Sequence, residues 1–163
     1  MNSTYDVYKV IDNNGGAAST EEPTNTGNTI FETSGDGYKW KYMYTLSAAQ
    51  QTNFLSTDFM AVATNSTVAA ANTDGAIDLV KIKSAGSGAS SGDGDTTGIA
   101  IKGDGSGAQV TVTISSGVVS AVTVTSGGSG YTYGYISNQD LIDAGITDIS
   151  GAELDVIIGP KGG

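Results

Sequence analysis

The sequence predicts a mainly β fold, with antiparallel sheets in a sandwich-like arrangement and two short helices. Three observations predict it. Short runs alternate large or β-branched residues with polar ones, which is the period of a strand. Clusters of Gly, Ser, Asn and Asp separate these runs at turn-like spacing. The pattern of residues 75–88 returns 42 residues later in residues 117–130, as a repeated supersecondary unit would. Composition alone would leave a disordered chain open, because more than a third of the 163 residues are Gly, Ser or Thr. Only 15% are charged, however, so the high charge of a disordered chain is missing.

Residues 5–11 form an apolar-rich run that ends at Asp12-Asn13-Asn14-Gly15-Gly16, a turn by its residue types. Residues 17–28 are polar, contain Pro23 and read as a loop; residues 29–32 read as a short strand. Ser34-Gly35-Asp36-Gly37 is a turn, and residues 38–46 follow it as the clearest strand of the chain. Tyr38, Trp40, Tyr42, Tyr44 and Leu46 share one parity there and therefore one face. Ser47 and Gln50 have the spacing of a capping box, which predicts a helix through about residue 55. Residues 59–63 read as a strand and residues 64–73 as a small, polar connection.

In the second half, residues 75–88 and 117–130 each read as a strand closed by a Gly-Ser-Gly turn. Between them, residues 98–103 form a strand, and Val110, Val112 and Ile114 mark one face of another. Ser115-Ser116-Gly117 turns that strand into the next as a hairpin. Ser137 and Asp140 resemble a second helix cap, with Gly145 placed to end the helix, and residues 153–158 are a final strand. The expected organisation is a first β segment at 1–66, a linker at 67–75 and a Gly-rich β-repeat module at 76–163. Residues 17–28, 64–73 and 84–98 are the stretches expected to move.

The chemistry is bounded by absences. The sequence holds no Cys and no His, and all seven basic residues are Lys. Thiolate and imidazole metal sites, Ser-His-Asp triads and Cys-His dyads therefore have no residues to use. A net charge of −10 opposes binding to nucleic acid or to an anionic membrane. None of the Gly-rich stretches has the Gly-Lys-Ser/Thr ending of a phosphate loop. Asp93, Asp95, Gly98 and Asp104 fall at positions 1, 3, 6 and 12 of a calcium loop, but Thr97 stands at position 5 and no helices flank it. A solvated turn is the simpler reading, so no cofactor or metal is assigned. The faces of Tyr38, Trp40, Tyr42 and Tyr44 are candidates for an interface or a sugar platform, against the simpler reading of a covered sheet face. No carboxylate pair stands out, and an enzyme is not expected.

One resemblance adds to these readings. Residues 35–44, Gly35-Asp36-Gly37-Tyr38-Lys39-Trp40-Lys41-Tyr42-Met43-Tyr44, resemble the baseplate wedge structural protein of contractile-tailed phages of the T-even type, in its marine phage form. Val7-Tyr8-Lys9-Val10, Ser47-Ala48 and Thr57-Asp58-Phe59-Met60-Ala61-Val62 extend the resemblance over residues 5–62. Gly103-Asp104-Gly105-Ser106-Gly107-Ala108 and Gly127-Gly128-Ser129-Gly130-Tyr131-Thr132 resemble β repeats inserted in many phage virion proteins. The resemblance implies a non-enzymatic building block of the virion, assembled in the host cytoplasm into the tail baseplate. It implies other baseplate and tail proteins as partners, together with a homodimer contact. The family protein is longer at both ends, so the resemblance also implies a fragment. Two other readings stay open: a glycan-binding or adhesin-like β module that uses the aromatic face, and a calcium-stabilised repeat.

Overall fold

A computed structural model describes residues 1–159 of the chain. Pro160-Lys161-Gly162-Gly163, where the resemblance implies a truncation, lies outside the described residues. Among the described residues the fold is mainly β, with antiparallel sheets and three short α-helices. None of these helices is long and apolar enough to cross a membrane. The chain divides into two compact units, Met1–Asn72 and Thr73–Gly163. That division falls inside the stretch expected as a linker.

In the N-terminal unit, β1 (Asp6–Asp12) pairs antiparallel with β3 (Lys39–Thr45), and β2 (Phe31–Glu32) pairs with the other side of β3. The aromatic strand is therefore central. Helix α1 (Ala48–Phe54) begins at the expected capping box: Ser47 Oγ accepts the Gln50 N–H, and Gln50 Oε1 accepts the Ser47 N–H. Two expectations fail here. Residues 59–63 form no strand, because no neighbouring strand is there to accept the ladder. The expected linker holds helix α2 (Ser66–Ala70), whose first N–H groups are capped by Asn65 Oδ1.

In the C-terminal unit, β4 (Ile77–Ser87) pairs with β10 (Ser150–Ile158). A second sheet has the order β5 (Gly94–Ala100), β7 (Ser106–Ser115), β8 (Val118–Ser129). β6 (Lys102–Gly103) and β9 (Gly134–Tyr135) form a small third pair, and helix α3 (Asn138–Asp143) carries the expected Ser137–Asp140 cap. One aliphatic cluster fills this unit, centred on Val110, Val112, Ile114, Leu141, Ile146 and Ile149.

Two corrections concern glycine. The stretch 84–98, expected to move, supplies the end of β4 and most of β5. Backbone pairing to β10 and β7 holds residues 84–87 and 94–96, which apolar content did not mark, while residues 88–93 lie between the two strands. The Gly-Ser-Gly clusters, expected as turns, lie at the ends of strands that are still paired. Gly86 (φ 66°) and Gly128 (φ 60°) sit in the left-handed region inside β4 and β8. A Cβ on Gly128 would stand 2.4 Å from Ser106 O and 2.5 Å from Ala108 N. Glycine is required there because the opposite strand's backbone fills the space.

Candidate functional site

The four aromatic residues singled out from the sequence all belong to the N-terminal unit. Trp40, Tyr42 and Tyr44 lie on β3, and Tyr38 precedes it. β1 brings Tyr8 directly opposite Tyr42, and an edge-on cluster forms around it. Tyr8 meets Tyr42 at 5.8 Å, Phe31 at 5.9 Å and Trp40 at 6.3 Å between ring centroids. Tyr38 stacks on Trp40 at 5.4 Å. Such offset and edge-to-face pairs add about 0.5–1.5 kcal/mol each beyond area burial. The sequence reading did not find Tyr8 and Phe31 as members. Tyr8 sits in a run that reads only as a strand, and its partners appear once β1 and β3 pair.

The aromatic face is partly covered. Trp40 is half-buried, and its Nε1 donates to Thr33 Oγ1 at 3.3 Å. The polar loop folds against it, with Tyr38 Oη donating to Ala17 O. A cavity of about 400 Å³ remains between the loop and the sheet, lined in part by Tyr8, Trp40, Ser19, Thr20 and Pro23. Tyr8 Oη is buried with no hydrogen-bond partner among the described residues. Burial, with the charge of Asp6 next in weight, pushes this phenol up to about 12.

Asp36, from the Gly-Asp-Gly turn, organises the loop. Its Oδ2 accepts from Ser19 Oγ (2.6 Å), Thr20 N (2.9 Å) and Glu21 N (3.1 Å), and its Oδ1 accepts from Thr33 Oγ1 and Tyr38 N. The Ser19 and Thr33 hydroxyls lead the causes that hold this carboxyl well below the usual range. A second carboxylate, Asp6, is buried. Burial pushes it up, but bonds from Thr4, Thr45 and Asn2 outweigh that and leave it lowered. Each acid combines near partners, Asn2 and Thr4 for Asp6 and Thr33 and Tyr38 for Asp36, with distant ones, Thr45 on β3 and the loop residues Ser19, Thr20 and Glu21, that only the fold brings in.

The second feature is an open groove of about 640 Å³ after α1, lined by Phe54, Leu55, Phe59, Met60 and Val62 among others. These side chains face solvent: Phe54 is 62%, Phe59 75% and Val62 88% exposed. The backbone beneath them is nevertheless fixed. Ser56 Oγ accepts the Asp58 and Phe59 N–H groups, Ser56 N donates to Phe59 O, and Tyr44 Oη donates to Ala61 O at 3.0 Å. Tyr44 thus ties the apolar segment to the sheet. Exposed apolar side chains grouped in one patch are a feature of protein–protein interaction sites.

The calcium-loop residues do not converge. Asp93 Oδ1 accepts Ser116 N at 2.7 Å, and Asp95 Oδ1 accepts Thr113 Oγ1 at 2.6 Å. Asp104 accepts Thr132 N, Thr132 Oγ1 and Tyr133 N, and these bonds, the Thr132 hydroxyl first, hold it at about 2. Asp93 and Asp104 each hold a different turn, and Asp95 bridges β5 to β7. Among the described residues no group of three or more acids could hold a metal ion. Comparison with protein-family models, with curated proteins and with solved structures finds no match to this chain.

Proposed function

We propose that the protein is a structural part of a phage virion, in the tail baseplate wedge, that works through protein–protein surfaces and not through catalysis. The observation that carries this reading is the groove at Phe54, Phe59, Met60 and Val62. It lies in the same residues 5–62 whose motifs resemble the wedge protein, and Tyr44 of the aromatic strand holds it in place. Neighbouring baseplate proteins are the partners this reading assigns to the face, and burying each large side chain there would contribute about 1.5–3 kcal/mol.

Antibodies against the chain test the reading directly. They should decorate the baseplate end of intact tails in electron micrographs. Labelling that is absent from every virion overturns the assignment. The double variant F59S/V62S should fold as the parent does and be left out of assembled particles; normal incorporation would remove the groove from the reading.

A glycan-binding module is the second reading, favoured by the cavity of about 400 Å³ that Trp40 and Tyr8 share with hydroxyl-bearing loop residues. Titration of Trp40 fluorescence with simple sugars separates the two, since the wedge reading expects no change.

A further inference from the structure

The two strand pairs β4–β10 and β8–β7 are the same ladder built twice. A shift of 42 residues carries β4 onto β8, and a shift of 44 carries β7 onto β10. The partners Val110–Val124, Val112–Val122 and Ile114–Val119 then coincide with Leu154–Ile82, Val156–Val80 and Ile158–Ile77. The irregularities coincide too: Gln109/Val110 and Thr113/Ile114 in one ladder, Glu153/Leu154 and Ile157/Ile158 in the other. Gly128 lies across from Gly107 as Gly86 lies across from Gly151, all four with φ between 60° and 82°. Outside the ladders, Tyr131 N donates to Gly75 O as Ala89 N donates to Gly117 O.

Both ladders and the Tyr131–Gly75 contact join residues before Ser116 to residues after Gly117; the Ala89–Gly117 contact ends on Gly117 itself. The β6–β9 pair also joins the two sides; among the described residues of this unit, β5–β7 is the strand pair that stays on one side. The aliphatic cluster is also shared, with Val110, Val112 and Ile114 from the first half against Leu141, Ile146 and Ile149 from the second. This reciprocal pattern is that of a self-complementary two-fold contact, here made within one chain. The halves are joined by a two-residue hairpin turn, Ser116 (φ 54°) and Gly117 (φ 75°).

From this we infer that a second copy of the chain is a partner, and that two copies exchange halves through the Ser116–Gly117 hinge. In the exchanged form β7 runs straight into β8, and the first half of each chain pairs with the second half of the other. Every ladder and the shared core are kept, while Ser116 leaves its left-handed conformation. Two contacts favour the closed form: Asp93 Oδ1 accepts Ser116 N, and Gly117 O accepts Ala89 N.

The test is the mass of the full chain by light scattering, after refolding over a range of concentrations. The native chain should give a dimer fraction that grows with refolding concentration. Asp93→Ala should raise that fraction. Deletion of Ser116 and Gly117 should double the mass at every concentration. Cysteines replacing the cross-strand neighbours Thr111 and Thr123 report the pairing. Their disulfide should lie within one chain in the monomer and between chains in the deletion variant. The inference is overturned if the native chain refolds only to monomer, if the deletion variant is a monomer or fails to fold, or if its disulfides stay within one chain.

Discussion

The C-terminal unit buries an aliphatic cluster that runs from Ile77 to Ala152. The N-terminal unit, among the described residues, buries Val7, Tyr42 and Leu46 beside the polar Asn2, Asp6, Thr33 and Lys41. The first unit offsets its small core with aromatic edges and with two carboxylates that gather hydrogen bonds, Asp6 and Asp36. Charge-assisted bonds are about twice as strong as neutral ones, but they require the charge. The second unit draws on non-directional burial, which is indifferent to protonation. A chain with few aliphatic residues can therefore fold by two routes, and the routes differ in what breaks them.

Acid is expected to produce the largest separation. The folded-state values of Asp6 and Asp36 are lowered, so their contribution is present above the unfolded carboxylate value, about 3.9, and is lost as pH falls through the folded values. Trp40, the one tryptophan, reports the N-terminal unit. Its emission should shift to the red below about pH 4, while amide protection in β7 and β8 persists. Simultaneous loss of both signals would erase the distinction. Asp104 and Asp140 are also lowered in the second unit, so its stability should fall too, but its aliphatic cluster does not depend on protonation.

Leu141→Ala addresses the other route. The side chain is 1% exposed in the aliphatic cluster, so its truncation should cost about 2–5 kcal/mol. In calorimetry it should lower the transition of the C-terminal unit and leave the Trp40-reported transition in place. Gly128→Ala should cost about 1–3 kcal/mol through backbone strain and the clash with Ser106 O. Gly107→Ala across the ladder meets nothing closer than 3.7 Å, so it should cost only the left-handed penalty of about 1–2 kcal/mol. Equal losses at the two positions would count against the close approach. Ser47→Ala removes one cap on α1 and should cost about 1 kcal/mol, read as a small drop in the N-terminal transition.

What the sequence disclosed follows from how local each signal is. Alternation at Tyr38–Tyr44 and Val110–Ile114 marked strands, and Ser47 with Gln50 and Ser137 with Asp140 marked helix starts, because those signals lie within a few residues. The first part of β5 gave no such signal: Gly94, Asp95 and Thr96 become a strand through pairing with β7, whereas residues 98–100 fall in a run that reads as a strand. Gly86 and Gly128 looked like turn residues because the need for glycine comes from the facing strand. Of the candidate site, the aromatic residues on β3 were legible. The roles of Tyr8, Asp36 and the Phe54–Val62 surface depend on segments that meet only in the fold. The 42-residue repeat was visible, but its meaning required the partner strands, whose spacing is 44.

The doubled ladder also sets a clock on synthesis. β8 finds β7 at once, across two residues. β4 must wait for β10, which leaves the ribosome roughly 60–80 residues later, or roughly 3–16 s at about 5–20 residues per second. Throughout that interval β4 is an unsatisfied edge, open to strands from neighbouring nascent chains. Lys81 and Lys83 lie along it, and charge on an edge is a common guard against unwanted pairing. Two ladders that are identical once folded thus differ in the hazard each meets while the chain is being made.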